Sequence, residues 1–443
     1  MKKYKLLGAV WIFLYAILVL SPIIILILGA DPSGRPPLLN LSVSLGFIGL
    51  SVMSLQFINS ARFKCIEKPF GADIIYHFHR QIGIAAFFMV FTHPILLFIL
   101  DQRYLRLLNI FTLPLQANHM GVGAVLLLIG VVWMAEYRQK LHIPYWFWKL
   151  WHGIMATAMI AMAVTHIFLT GSYVDLPWKR VFWIGYSILL VLTLIYTRVI
   201  YPLRLMAKPY RVKDVKEERG SVWTISLEAI GHQGFIFQPG QFAWLTAWKT
   251  PFSDSEHPFS LVSSAENKDA IQMSIKNLGP FTAKIQTLKP GEKVYIDGPY
   301  GSFSMDRHPD AEKFIFIPGG IGVTPVMSML RSMAERDDQR PIKLFYCNFE
   351  WETVTFREEI LTLQKKLKMQ IVFVIERPPQ NWTGEAGFLN TAILKKYLSE
   401  DWLCGQAEVF LCGPSPMMNA VEKALIETGV PEKNIHSERF ALV

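Results

Sequence analysis

Two long apolar stretches each carry a pair of histidines at one spacing. IIYHFHRQIGIAAFFMVFTHPILLFIL holds His79 and His93, WHGIMATAMIAMAVTHIFLTG holds His152 and His166, and both pairs are 14 residues apart. At 3.6 residues per turn each pair shares a helix face, its members separated by about 21 Å along the axis. Neutral imidazole is a good iron ligand. One histidine from each stretch at each depth gives two ligands to one haem iron, and two stacked bis-His haems form an electron path across a bilayer. A single histidine in a span is commonly a hydrogen-bonded packing residue, but two pairs at identical spacing, with a Thr-His dipeptide at each far end, favour ligation. His77 falls near the opposite face and is set aside. His119 and His142, at a span edge and in a loop, read as interfacial or solvated groups, and Phe87, Phe88 and Met159 as packing.

The elements that must position these groups are visible in the composition. The 443 residues are 52% hydrophobic and only 18% charged, with a net charge of +9, against about 25% charged in an ordinary soluble chain. This excludes disorder, collagen and a small disulfide scaffold. Up to Leu205 the chain has 17 Lys+Arg and 6 Asp+Glu, leaving 27 and 29 for the rest, so the two parts carry +11 and −2. The cations flank apolar runs rather than forming a basic patch, which argues against nucleic acid as a partner. Cys65, Cys347, Cys404 and Cys412 lack CxxC or other metal spacing, so neither a disulfide framework nor a zinc site is expected from them.

Six runs of bilayer-spanning length lie near 6–29, 39–60, 76–100, 119–135, 150–170 and 178–201. The first follows Lys2, Lys3 and Lys5 but is too long for a signal-peptide core, and reads as a retained helix. With the N-terminus inside, twelve cations lie on inner segments; only Arg35, Arg103, Arg106, Lys179 and Arg180 lie outside. Six crossings then leave the polar C-terminal part cytoplasmic. The third and fifth runs are parallel, so His79 meets His152 near the inner surface and His93 meets His166 near the outer one.

After YPLRLMAKPY short alternating runs with Gly/Pro punctuation, YRVKDV, SVWTISLEAI and FAWLTAW, indicate an antiparallel β-barrel. From about residue 312 the runs FIFIP, KLFYCNF, IVFVIE and VFLCGP alternate with the helical stretches SMLRSMAE, FREEILTLQKKL, TAILKKYL and MMNAVEKALIE, which indicates a parallel sheet. The expected fold is a multidomain membrane protein: a six-helix transmembrane bundle (1–205), a β-barrel domain (206–308) and an α/β nucleotide-binding domain (309–443). Ligands of parallel sheets bind at the carboxyl ends of strands. There PGGIGVTPVMSMLR offers Gly319, Gly320 and Gly322 to a pyrophosphate at a helix N-terminus, though Pro325 stands where a third fingerprint glycine would be.

The ordered motifs His257-Pro258-Phe259-Ser260, Gly298-Pro299-Tyr300-Gly301, Gly319-Gly320-Ile321-Gly322-Val323-Thr324-Pro325, Cys412-Gly413-Pro414 and Glu438-Arg439-Phe440 resemble the ferredoxin-NADP reductase superfamily. Joined to the four histidines, the whole chain resembles the NADPH oxidase and ferric reductase family, especially its compact bacterial members. The resemblance implies FAD bound by His257, Pro258, Phe259 and Ser260, with Ser260 near N5, and by Lys276, Gly279 and Thr282 at the pyrophosphate. It implies NADPH or NADH bound by Gly319, Gly320, Gly322, Thr324, Pro325, Gly413 and Pro414. Cys412 would lie near nicotinamide C4, with Glu438 and Phe440 completing the flavin site. Ser260, Cys412, Glu438 and Phe440 are then the catalytic set, and His79, His93, His152 and His166 ligate two b-type haems. The chain departs by carrying Ala441, Leu442 and Val443 after the aromatic. It also departs after KLFYCN, where Phe349, Glu350 and Trp351 supply no cation for a 2′-phosphate before Arg357, and Glu350 suits a ribose hydroxyl.

The expected activity is electron transfer from cytoplasmic NAD(P)H through FAD and the haems to an acceptor outside the plasma membrane. O2, giving superoxide, is favoured over a ferric chelate, and no obligatory protein partner is evident. Two rivals of other classes are a transporter or channel with a redox-sensing cytoplasmic module, and a membrane-anchored flavin reductase whose histidines are structural.

Overall fold

The computed structural model describes residues 2–28, 36–109, 116–171, 174–253, 255–267, 269–403 and 407–439. Arg35, Cys404, Phe440 and the three residues after it lie outside the described residues. The chain divides into two compact units, Lys2–Pro202 and Leu203–Val443.

The first unit is helical: α1 (Lys2–Ile27), α2 (Pro37–Ser60), α3 (Lys64–Phe70), α4 (Ala72–Leu100), α5 (Ala117–Tyr137), α6 (Tyr145–Thr170) and α7 (Pro177–Ile195), which passes through one π turn into α8 (Tyr201–Met206). Six helices are long and apolar enough to cross a membrane, one for each apolar run in the sequence. In lipid the helix satisfies its own backbone polar groups, which is why uninterrupted apolar runs adopt it. Phe13, Ile99 and Val181 point outward, while Phe47, Leu50, Met53, Leu128, Met159, Trp183 and Tyr186 form an internal core. The short α3 has no counterpart in the sequence reading, because KCIEKPF is too short for a span and carries Pro69.

Two helix hairpins dominate the packing, α2 against α4 and α5 against α6, whereas α4 and α6 are not a closely packed pair. Small residues allow the close approach: a Cβ on Gly49 would lie 2.4 Å from Val90 Cγ2, and one on Gly123 2.1 Å from Met162 Cε. His119, at the edge of its span as expected, is not solvated. It is buried, and its Nδ1 accepts the Gln116 N–H at 2.9 Å, because the first turn of α5 has amides with no intrahelical acceptor. His142 stays exposed in its loop.

The second unit begins with a six-stranded antiparallel sheet: β1 (Tyr210–Glu218), β2 (Val222–Ala229), β3 (Phe242–Ala247), β4 (His257–Ser260), β5 (Ile271–Lys276), the short α9 (Pro280–Lys284) and β6 (Lys293–Tyr300). Its order is β4-β3-β6-β1-β2-β5, and an antiparallel bridge between Leu261 and Met273 joins its two edges into a barrel. Alternating inward residues such as Val212, Ile225, Leu227, Leu245, Met273 and Ile296 fill it.

A parallel sheet follows, made of β7 (Lys313–Pro318), α10 (Val323–Glu335), β8 (Ile342–Glu350), α11 (Arg357–Leu363), β9 (Met369–Arg377), β10 (Glu385–Ala386), α12 (Thr391–Tyr397), α13 (Glu400–Leu403), β11 (Ala407–Cys412), α14 (Ser415–Thr428) and β12 (Ile435–Glu438). The order β10-β9-β8-β7-β11-β12 reverses direction at β7, so the crevice at a topological switch point opens between β7 and β11. Phe314, Phe316 and Phe410 sit in the core on one face, Ile317, Val409 and Leu411 on the other.

Candidate functional site

In the helical unit α4 carries His79 and His93, and α6 carries His152 and His166. The rings of His79 and His152 face each other with centroids 6.4 Å apart. Two imidazoles on opposite sides of one metal, with bonds of about 2 Å each, put their centroids roughly 6 Å apart, so the spacing suits bis-imidazole ligation. The Nδ1 atoms of both rings are buried with no hydrogen-bond partner among the described residues.

His93 and His166 are held in one way by the two hairpins. His93 Nδ1 lies 3.0 Å from Ser42 O and 2.9 Å from Ser42 Oγ, whose own proton is donated to His93 O at 2.8 Å. His166 Nδ1 lies 2.8 Å from Ala117 O. A ring nitrogen donating to a carbonyl carries the proton, which leaves Nε2 as the lone pair for a metal. Four residues beyond each carbonyl stands a glycine beside the ring: a Cβ on Gly46 would lie 3.4 Å from His93 Cγ, and one on Gly121 3.0 Å from His166 Cε1. His77 is exposed. Trp148, one turn before His152, packs on it at 5.2 Å, with a buried Nε1 lacking a partner among the described residues. The i, i+4 spacing is the signal that could have identified it.

In the barrel, His257 to Ser260 form β4 on β3, with Ser260 opposite Phe242 and Phe242 opposite Tyr300. Ser260 Oγ is buried without a hydrogen-bond partner among the described residues, an orphan that a ligand acceptor would satisfy. Gly301 has φ +98, and a Cβ there would start 3.1 Å from Phe242 Cδ1 and 3.3 Å from Glu438 Oε1. Ser260, the turn after Tyr300 and Glu438 therefore converge around Phe242.

Phe281 was not among the sequence candidates, yet it packs on His257 at 3.9 Å and on Phe259 at 6.1 Å. Thr282 Oγ1 accepts the N–H groups of Leu278 and Gly279, both at 2.9 Å, and donates to Gly279 O. The amide of Gly279, a residue expected at the pyrophosphate, is thus bonded within the turn, and α9 is only 5 residues long. Lys276 ends β5, with no ion pair among the described residues.

At the crevice between β7 and β11 the glycines do different work. A Cβ on Gly322 would lie 2.2 Å from Cys412 O, and one on Gly319 2.3 Å from Met417 Sδ. A Cβ on Gly413 would meet Gly319 Cα at 3.1 Å. These three let two loops pack together, and Gly319 N–H donates to Cys412 O at 2.8 Å. Gly320, at φ +54, faces open space, as a backbone approached by a ligand must. Thr324 is buried with its hydroxyl donating to Ile321 O at 3.0 Å, Pro325 is buried beside it, and Pro414 caps α14. Cys412 pairs with Glu438 across β11 and β12. Burial, and then the Glu438 carboxylate, push the Cys412 thiol well above its ordinary range, so it stays protonated. At the end of β8, Glu350 sits in register with Arg377 of β9, whose guanidinium lies 4.5 Å from the Phe349 ring. Arg377 is far from KLFYCN in sequence and reaches it only through the parallel register.

The model of the ferric reductase like transmembrane component matches residues 45–163, that of an FAD-binding domain 208–304 and that of an oxidoreductase NAD-binding domain 316–423. The chain has the architecture of the NADPH oxidase and ferric reductase family. As in that family, a multi-pass membrane domain precedes FAD- and NAD(P)H-binding domains of oxidoreductase type. The reductase component of propane 2-monooxygenase from Mycolicibacterium smegmatis is 28% identical over 240 residues, which is 52% of this chain and 66% of that protein. A component of the Na(+)-translocating NADH-quinone reductase of Yersinia pestis is 34% identical over 167 residues, 37% of this chain and 40% of that protein. The chain thus spans less than two thirds of either relative. The solved FAD/NAD-binding domain of nitric oxide dioxygenase from Vibrio cholerae is 22% identical, covering 52% of this chain and 98% of that one at a TM-score of 0.46.

Proposed function

We propose that this chain carries electrons from NAD(P)H across the plasma membrane to O2, with its N-terminus and its flavin-binding part (206–308) and nucleotide-binding part (309–443) in the cytoplasm. The observation that carries the reading is the facing pair His79 and His152, 6.4 Å apart between helices that do not pack directly, beneath a second pair whose Nε2 atoms are kept free. Bound FAD supplies the conversion of a two-electron hydride into single electrons, and bound haem carries them singly.

The chain's own residues position these groups. Ser260 offers its orphaned hydroxyl to the flavin edge, and Phe259 and Phe281 wall that pocket. Gly320 gives the dinucleotide access to backbone, and Glu438 together with the protonated Cys412 thiol lines the place where the nicotinamide meets the flavin. No side chain is required as a general base. His79 and His152 serve the inner haem, His93 and His166 the outer haem.

With His79 and His152 holding one haem and His93 and His166 the other, neither iron would have a position left for the acceptor, which would receive its electron by outer-sphere transfer. A small neutral acceptor is favoured because it needs no cationic guide at the outer face, where the described cations are in part tied to neighbours. Arg103 pairs with Asp101 at 2.6 Å, Arg180 donates to Val174 O at 2.8 Å, and Lys179 is buried beside Trp178. For the coenzyme, Arg377 beside Glu350 supplies the cation a 2′-phosphate requires, and NADPH is accepted through it.

The test is an absorbance spectrum of the purified protein reduced by NADPH without air. About two low-spin haems per chain, reduced by the coenzyme and reoxidised by O2 with superoxide formed, support the reading. Flavin without haem contradicts it, and reoxidation by ferric chelate alone replaces O2 with that acceptor.

A further inference from the structure

The end of β11 remote from Cys412 carries a second group of ligating side chains. His308 follows the turn Met305–Arg307 that leads out of the barrel, Glu408 is the second residue of β11, and His436 is the second of β12. Their ligand atoms all lie within 4.8 Å of one another. Glu408 Oε2 lies 2.7 Å from His436 Nε2, and Glu408 Oε1 3.5 Å from His308 Nδ1. The imidazole centroids are 4.0 Å apart, and the buried Phe410 ring backs both, at 5.8 Å from His308 and 5.1 Å from His436.

As a purely hydrogen-bonded group this arrangement is incomplete. His308 Nδ1 is buried with no hydrogen-bond partner among the described residues, although a carboxylate oxygen stands beside it. One divalent cation among the three side chains would use both ring lone pairs and the carboxylate together. Ligands around a tetrahedral ion with bonds of about 2 Å lie roughly 3.4 Å apart, close to the 3.5 Å between His308 and Glu408. The contact between Glu408 and His436 needs to open by less than about 1 Å.

We propose that His308, Glu408 and His436 bind a divalent transition-metal ion of the zinc class, with water as fourth ligand. Two imidazoles and one carboxylate suit zinc-like ions, whereas magnesium and calcium prefer all-oxygen sites. The ion would tie the exit of the barrel to β11 and β12. Glu408, Phe410 and Cys412 alternate onto one face of β11, so it lies about 13 Å along the strand from Cys412 and stands apart from the flavin and nucleotide positions.

The test uses the full-length protein loaded with haem and FAD, stripped with chelator and dialysed against Zn2+ at about 10 μM free ion. Zinc and iron are then counted in one sample by atomic spectrometry. The expected result is one zinc per chain in the wild type, with affinity at least tenfold weaker in H308Q and E408Q, and iron and FAD content unchanged. H142Q, at an exposed histidine, should keep the zinc. Should one variant lose FAD or haem through misfolding, the other decides. Wild type that binds no zinc, or variants that bind it as tightly as wild type, overturn the proposal and leave a hydrogen-bonded His-Glu-His bridge.

Discussion

Cys412 and Cys347 show how environment sets the chemistry of a side chain. Burial pushes the Cys347 thiol up to about 12, and burial with the neighbouring Glu438 carboxylate pushes Cys412 well above the ordinary thiol range. Both remain protonated at pH 8, whereas Cys65 is exposed. Only the thiolate is nucleophilic, so iodoacetamide at pH 8 should modify Cys65 in the native protein and spare Cys347 and Cys412, as peptide mass mapping would report. Alkylation of Cys412 at the rate of Cys65 would contradict the assignment. Coenzyme choice belongs to this scale too. Arg377→Ala should lower kcat/KM for NADPH about tenfold, roughly 1.4 kcal/mol, and leave NADH within about twofold. An equal fall for both coenzymes would remove Arg377 from the phosphate site. The motif residues could be named as candidates because each motif stands at a fixed place in the strand and helix pattern. Arg377 and Phe281 were not, since their proximity to Phe349 and His257 arises from strand register and from a loop folding back.

At the scale of elements, backbone and helix contacts decide which glycines matter. Gly322→Ala brings a Cβ into the Cys412 carbonyl and should destabilise the nucleotide-binding part by more than the approximately 1–2 kcal/mol expected of Gly320→Ala, whose cost is only its left-handed backbone. Thermal unfolding followed by FAD release would rank them, and the reverse order would contradict the packing argument. In the hairpins, Gly121→Ala crowds the His166 ring while Gly46→Ala makes an ordinary contact with His93. Gly121→Ala should reduce bound haem from about two per chain towards one, and Gly46→Ala should retain both. A pyridine haemochrome assay distinguishes these, and full haem in both variants would contradict ligation by His166. Period and length made the spans, strands and helices readable in the sequence. The repeated device of carbonyl, glycine and histidine was hidden, because it depends on which helix packs against which. Of the two readings of His119, interfacial or solvated, burial removes the solvated one, because the exact start of α5 makes it a capping residue.

For the whole molecule, the net charge of +9 resolves into a basic helical part and a slightly acidic polar part, the distribution on which the proposed topology rests. Two His pairs at equal spacing on parallel spans are useful only if both ends of that axis are connected, one to a source of electrons and the other to an acceptor. The most direct measurement is electron delivery across a sealed bilayer: protein reconstituted in liposomes, NADPH added outside without detergent, and a superoxide trap and ferric chelate enclosed within. Delivery to the enclosed acceptor, abolished in His93→Ala and in His166→Ala while NADPH still reduces the flavin, is the predicted result. Delivery undiminished in both variants, or none in the wild type despite bound haem and flavin, would contradict the account.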